Sequence, residues 1–328
     1  MKKALITGVA GQDGSYLSEF LLQKGYEVHG TIRRSSLEGV SRIDHLYNGE
    51  RKNKDFYVHY GDVTDSICMS NIISKVKPDE IYYLAAYHNS SQDKIDDDVE
   101  LFKQSIDINA ISVNNFLDAI FKHKSKCRFF YASSCLIFKG SKDTLLTENS
   151  QYSPDSYYAI SKISGGSLVK YYRKNKNIFA CSGILFNHES SLRTKNFLSK
   201  KITSFIANLD NFSKEKLSLG GLDMTIDWGY APEYVDAFWR ILQTDSPEDY
   251  IIATGLKNTI KDFVEIAFEH VNLDYRDYVN VDANLLNRKN TMRIGSPEKL
   301  IRNTGWKPSV NFEEMVKKLV EIEINKIK

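Results

Sequence analysis

Seven short apolar runs punctuate the first 255 residues: KALITG (3–8), YEVHGTI (26–32), DFYVHYG (55–61), EIYYLAA (80–86), CRFFYAS (127–133), FACSGILF (179–186) and YIIATG (250–255). They are continuous rather than alternating, the pattern of strands covered on both faces. Longer stretches with a helical apolar period lie between them, such as SYLSEFLLQKG (15–25) and INAISVNNFLDAIFKHK (108–124). Strands alternating with helices predict βαβ units and an α/β fold around a parallel sheet. After residue 186 the alternation loosens into polar loops, the aromatic DWGYAPEYVDAFW (227–239) and a C-terminal helix FEEMVKKLVEIEINK (312–326). This predicts residues 1–186, with a return segment near 225–256, as the main domain, and 187–328 as a smaller second one. No repeat or low-complexity linker separates them.

Bulk properties exclude several classes. A net charge of +2 over 328 residues gives no field for nucleic acid, and KHKSKCR reads as a solvated helix end. No apolar run approaches the length of a membrane span. MKKALITG stops at Gly8 and reads as a first strand, not a signal peptide. The four cysteines lack a paired or metal-like spacing, which fits a reducing cytoplasm. The seven histidines form no HExxH-type cluster, so no metal is expected.

The stretch ITGVAGQDGSYL places Gly8, Gly11 and Gly14 in a GxxGxxG pattern between a strand and a helix, with Gln12 and Asp13 in the first turn. Glycines there let the backbone approach a pyrophosphate held on the helix N-terminus, the sign of a doubly wound Rossmann domain. An NAD site usually carries an acidic residue at the end of the second strand. Here GTIRRSS offers Arg33 and Arg34, forked donors suited to a 2′-phosphate, so NADP is the expected cofactor. The alternative is two surface arginines. In YGDV, Asp62 can accept from an adenine amino group, with Val63 beside it. Leu84, Ala85 and Ala86 end the fourth strand along the cofactor path.

SYYAISK carries Tyr158 and Lys162 at YxxxK spacing, one face of a helix. The ammonium can lower the tyrosine pKa and hold the cofactor ribose. The tyrosine can then take a proton from a substrate hydroxyl as hydride leaves for a nicotinamide. Ser134, in YASSCLIF (131–138), closes an earlier strand and can bond the same hydroxyl.

In order and type, the glycine turn, the strand-end serine and YxxxK resemble the extended short-chain dehydrogenases/reductases. In detail the chain resembles the GDP-mannose 4,6-dehydratase family. The stretches ALITGVAGQDGSYLSEFLLQKGYEVHG, IRRSS with SRIDHLY, GILFNHES, LDMTIDWGYAPEYVDAFW and GWKPSVNFEEMVKKLV carry the resemblance across nearly the whole chain. It implies a Rossmann domain with a small nucleotide-sugar domain, and NADP as a standing partner. It also implies a homotetramer, a dimer of dimers, whose RRSS…RIDHLY loop reaches a neighbour's cofactor. Asn187 and Glu189 then lie near the sugar and diphosphate, His188 on the cofactor side, and Lys201 at the guanine.

The sequence departs from that family at the chemistry. The family's elimination uses a glutamate two residues after its catalytic hydroxyl, and alignment of YASSCLIF puts Leu136 there. A leucine cannot abstract a proton. Ile226 stands where the family carries an arginine, and Tyr87, His88 and Asn89 replace a Gln-Ser-His sequence, leaving Tyr87 and His88 as candidate sugar contacts. Arg288 and Arg293 remain as diphosphate contacts. Ser133-Ser134-Cys135 is similar to the strand end of GDP-fucose synthases, whose cysteine acts as acid or base beside a 4-keto group. That makes Cys135 a candidate, partnered by His88 or His188, against the reading as a small buried filler. The expected activity is therefore C4 hydride exchange on a GDP-sugar, as a 4-keto-sugar reductase or epimerase/reductase in deoxysugar or surface-glycan synthesis. Two alternatives stand beside it: a 4,6-dehydratase with its base displaced to Glu189 or Cys135, and a silent NADP- and sugar-binding paralogue, against which the YxxxK argues.

Overall fold

The computed structural model describes residues 1–33, 41–47, 53–88, 97–123, 126–141, 143–209, 215–285 and 291–327. Arg34, Asn89 and Arg288 lie outside the described residues. All seven apolar runs become strands of one parallel sheet: β1 Lys3–Thr7, β2 Glu27–Ile32, β3 Phe56–Tyr60, β4 Glu80–Tyr83, β5 Arg128–Ser134, β6 Ala180–Leu185 and a return strand, Tyr250–Ile252. The order is return strand, β6, β5, β4, β1, β2, β3, every pair parallel. This is the doubly wound Rossmann topology, and the strand order reverses between β1 and β4.

The pleat sends alternate residues to two cores. Ala4, Ile6, Tyr82 and Phe130 pack with Leu17 of the first helix, Gln12–Gln23, and Phe238 of the helix Ala231–Ile241. Leu5, Tyr83 and Tyr131 pack with Ile73, Phe116 and Val169 from the helices Ser66–Val76, Ser112–Lys122 and Tyr157–Lys176. Helices on both faces explain why β4 and β6 have no exposed position. The return to the sheet is longer than the sequence indicated, since Leu300 and Trp306 also join the first core.

A separate apolar cluster gathers Ile202, Leu217, Phe263 and Leu319. Trp228 stacks on Phe312 at 5.5 Å and ties the C-terminal helix Phe312–Ile327 to it. Two three-residue strands, Asn187–Glu189 and Trp228–Tyr230, pair in parallel just beyond the end of β6. Among the described residues, no helix is long and apolar enough to cross a membrane.

Candidate active site

The site lies at the carboxyl ends of β1, β4, β5 and β6, where open α/β sheets bind ligands. Gly8 has φ +69°, and a Cβ there would sit 3.1 Å from the Ala85 backbone. At Gly14 a Cβ would come within 2.5 Å of the Gly8 carbonyl oxygen. Both positions therefore need glycine, one for conformation and one for approach. Thr7 Oγ1 accepts from the amides of Leu84 and Ala85, each at 3.1 Å, and stitches β1 to β4 at the switch point. The first helix begins at Gly11 without a side-chain cap. Its leading N–H groups have no side chain bonded over them, which suits a pyrophosphate.

Gln12 and Asp13 bond to His188 and Ser190 in the ligand-free protein. Gln12 donates to the His188 carbonyl at 3.2 Å and accepts from Ser190 Oγ at 2.8 Å. Asp13 Oδ2 lies 3.0 Å from His188 Nε2, while His188 Nδ1 meets the Phe186 carbonyl at 2.7 Å. The His188 ring stacks on Tyr234 at 4.7 Å. Burial opposes both charges, but each group's attraction to the other outweighs it. Asp13 is held below the usual carboxylate range and His188 above the usual imidazole value. Both ring nitrogens are thus committed in the ligand-free protein, and the pair clamps the first helix to strand Asn187–Glu189.

Arg33 is exposed at the end of β2. Asp62 Oδ1 is taken by its own turn, accepting from the Thr64 amide and hydroxyl at 3.0 and 2.8 Å. The Val63 side chain is buried in the second core. Leu84, Ala85 and Tyr87 are half-buried, and Ala86 and His88 exposed.

Ser134 ends β5 and its hydroxyl accepts from the Leu136 amide at 3.3 Å, capping the short turn Cys135–Ile137. Ser156 caps the helix Tyr157–Lys176, which brings Tyr158 and Lys162 to the strand end. Lys162 is 2% exposed, donates to the Ala132 carbonyl at 2.8 Å, and lies 5.6 Å from the centre of the Tyr158 ring. Burial pulls its pKa down to about 7. Burial likewise pushes the Tyr158 phenol well above its usual range, with a hydrogen bond to Ser134 offsetting part of this. The expected lowering of Tyr158 by Lys162 is therefore not the state of the ligand-free protein: the same burial penalises both charges.

Cys135 is 6% exposed among Ile137, Phe138, Leu146, Phe186 and Ile251. Burial pushes its thiol up to about 12, against a smaller pull from Arg293. In the ligand-free protein it is packed among apolar side chains. Arg293 itself donates to the Phe138 carbonyl at 2.9 Å and lies 3.3 Å from Asp155. Leu136 is half-buried in the turn beside Ser134.

Asn187 is exposed and Glu189 buried. The Glu189 carboxylate pairs with Arg193 Nε at 3.1 Å and accepts from Ser199 Oγ. The Arg193 guanidinium lies 3.8 Å over the Phe197 ring, which stacks on His88, which in turn meets Tyr158. Arg193 is a site residue the sequence reading missed, although its four-residue spacing from Glu189 was visible. Lys201 donates to the Ser218 carbonyl at 3.0 Å and borders a cavity of about 350 Å³ with Lys195, Lys200 and Phe205.

Asn109 was also missed. It sits in a π-helical turn, Asp107–Ile111, inside an otherwise α-helical run. Its amide accepts from the Tyr87 backbone and donates back to it, both at 3.2 Å, and donates to Ser161 Oγ at 3.0 Å. Such turns recur at functional sites because they re-aim one side chain. Here Asn109 fixes the end of β4 against the Tyr158 helix. Among the described residues, no group of three or more His, Cys, Asp or Glu gathers that could hold a metal ion.

Comparison with known proteins agrees with this geometry. The family model for GDP-mannose 4,6 dehydratase matches residues 5–319. GDP-mannose 4,6 dehydratase 2 of Caenorhabditis elegans is 38% identical, covering 98% of this chain and 89% of that protein. The human GDP-mannose 4,6 dehydratase is 36% identical, covering 98% and 91%. The UDP-glucuronic acid 4-epimerase of Bacillus cereus, solved with UDP-glucuronic acid and NAD, shares the fold with a TM-score of 0.83 at 20% identity, over 99% of this chain and 100% of that one. With a family match over nearly its whole length and full-length relatives above one third identity, the chain belongs to the GDP-mannose 4,6-dehydratase family of short-chain dehydrogenase/reductase enzymes.

Proposed function

We propose that the protein binds NADP and a GDP-linked sugar and exchanges hydride at sugar C4, as a 4-keto-sugar reductase or epimerase/reductase. One observation carries this reading. Ser134, Tyr158 and Lys162 meet at the end of β5, while Leu136 occupies the position where the resemblance implies an elimination base. The two displaced-base candidates do not favour elimination: Glu189 is bound to Arg193 and Ser199, and the Cys135 thiol sits high.

The glycine turn and the uncapped helix N-terminus suit a dinucleotide pyrophosphate, and Arg33 favours the 2′-phosphate form. NADP, when bound, supplies the hydride chemistry. Tyr158 exchanges the proton of the C4 oxygen, Ser134 orients that oxygen, and Lys162 supplies positive charge beneath the phenol. Residues 187–328, apart from the return to the sheet, form the nucleotide-sugar side in this reading. Arg193 and the lysine-lined cavity at Lys201 receive the diphosphate and base. Exposed Val99, Phe102, Ile111 and Ile160, on neighbouring helical segments, provide the apolar face that a homodimer within a tetramer would cover. The setting we infer is the cytoplasm.

A second reading, 4,6-dehydration, is favoured by the full-length identity to proteins named for that activity. Product analysis by NMR separates the two. The protein is incubated with GDP-mannose and other GDP-sugars, and separately with their 4-keto-6-deoxy forms plus NADPH. NADPH consumption by a 4-keto sugar supports the proposal. A 4-keto-6-deoxy product from an unmodified GDP-sugar overturns it. NADP binding with no turnover of any sugar would mark a silent paralogue.

A further inference from the structure

The turn between strand Asn187–Glu189 and the helix Leu198–Ala207 carries Arg193. One tie holds it to the Rossmann domain, where Ser190 Oγ donates to Gln12 at 2.8 Å. A second tie comes from the far end of the sequence. The Ser191 carbonyl accepts from Lys200 Nζ and from Lys326 Nζ, each at 3.2 Å. Lys200 lies in the first turn of the helix Leu198–Ala207, and Lys326 in the last turn of Phe312–Ile327. Two ammonium groups drawn to one oxygen repel each other. The Glu323 carboxylate offsets this, 2.5 Å from Lys200 and 2.7 Å from Lys326. Glu323 is buried, which a carboxylate tolerates only when paired. Its helix is already held by Met315, Val316, Leu319 and Val320 in the second apolar cluster. A buried ion cluster adds little stability over apolar packing of the same volume. What this one adds is a fixed position for the Ser191 carbonyl.

We infer that Glu323 is a positioning residue for the sugar nucleotide: by holding Lys200 and Lys326 on the Ser191 carbonyl, it sets the turn that presents Arg193 to the cleft. The inference rests on the proposed placement of the diphosphate at Arg193. The link is short. The Arg193 amide donates to the Ser190 carbonyl at 3.2 Å, so the turn closes directly across Ser191. The Arg193 guanidinium then lies over Phe197, at the start of the same helix that carries Lys200. A Ser191 carbonyl released from its two donors leaves this turn tied only at Gln12 and Glu189. The C-terminal helix thus shapes the substrate side of the cleft without touching the substrate.

GDP is the probe, because its binding needs no chemistry. Glu323→Gln keeps the shape and removes the charge. Lys326→Met removes one donor and leaves Lys200 paired with Glu323, so it tests the same link without stranding a buried cation. Calorimetric titration is expected to show both variants binding GDP about tenfold more weakly, and Lys326→Arg restoring the wild-type affinity. With the accepted sugar, KM is expected to rise by a similar factor and kcat to change little. In an Arg193→Ala background, which itself binds GDP more weakly, Glu323→Gln is expected to cause no further loss. Additive losses, a GDP affinity unchanged by Arg193→Ala, or one unchanged in both Glu323→Gln and Lys326→Met overturns the positioning role. If the wild type binds no GDP, the GDP-sugar reading fails, and hydrogen exchange of residues 190–197 in the ligand-free protein decides the role of the cluster. Faster exchange in both variants supports it, and unchanged exchange overturns it.

Discussion

His88 stands edge-on to Tyr158, with ring centroids 4.6 Å apart and planes at 87°. The same imidazole stacks on Phe197 at 5.9 Å, so it forms a wall between the phenol and the Arg193 side of the cleft. In the proposed function His88 borders the approach of a sugar to Tyr158. His88→Ala is expected to raise KM for the sugar by about tenfold, the size of one aromatic contact, and to change kcat little. Steady-state kinetics with the accepted substrate check this. A collapse of kcat with unchanged KM would instead put His88 in the chemical step.

The Asp13–His188 pair should give stability a pH signature. His188 titrates above its unfolded value of 6.5, so its contribution is complete below that and lost as pH rises through the raised folded value. Asp13 titrates below 3.8, so its contribution is present above that and lost as pH falls through the lowered value. The pair is intact between these limits. Between about pH 6 and about pH 9 the stability advantage of the wild type over His188→Gln, read from thermal melts of both, is expected to shrink. At pH 6 that variant is expected to cost about 1–3 kcal/mol, for a buried partner left unpaired.

Lys162 acts in the opposite sense. Its folded pKa of about 7 lies below the unfolded 10.5, so the folded chain binds fewer protons. The Lys162 contribution to ligand-free stability therefore rises with pH between those values, opposite in sign to that of His188. Lys162→Met is expected to abolish hydride exchange while lifting the ligand-free Tm at pH 7 by about 2–4 °C. Calorimetry at several pH values reads both the lift and the loss of slope.

Arg33 is expected to choose the cofactor. Arg33→Ala should weaken NADP binding by about 10- to 100-fold, the loss of one or two hydrogen bonds to a charged group, and leave NAD binding nearly unchanged. Calorimetric titration with both nucleotides checks it. Equal losses for the two would remove the 2′-phosphate contact.

Leu136→Glu places a carboxylate beside Ser134, with the side chain half exposed and so able to ionise. With GDP-mannose the expected gain is a 4-keto-6-deoxy product, detected by NMR and not formed by the wild type. Retained C4 exchange without that product would locate the block in how the sugar is seated.

The sheet was legible because helices cover both its faces, so each strand became an unbroken apolar run. The glycine turn, Ser134 and YxxxK were legible because each is a local pattern next to a strand end. Other parts depend on contacts far apart in sequence. The strands Asn187–Glu189 and Trp228–Tyr230 are too short to show a period, and each exists through the other. The stretch at Asp107–Ile111 reads as ordinary helix, and only the fold shows its wider turn and the three hydrogen bonds that Asn109 makes to Tyr87 and Ser161. His188 carried a cofactor role by resemblance, yet Asp13, a helix away, takes its second nitrogen. The apolar surroundings of Cys135, among them Ile251 of the return strand, come together only in the fold.

That return strand has a consequence for how the protein must be made. β6 is buried at every position, and its outer edge is closed by Tyr250–Ile252. A ribosome that has released residues 1–186 has made Ser134, Tyr158 and Lys162 and none of the cover for that edge. Until the later segment emerges, the nascent sheet shows a bare, apolar rim with free backbone groups, the template on which chains join one another. The rim can close once Tyr250–Ile252 emerges, before Phe263 and Leu319 of the second apolar cluster have been made. The order of synthesis thus makes a folded but cleft-less intermediate the state that chaperones must guard.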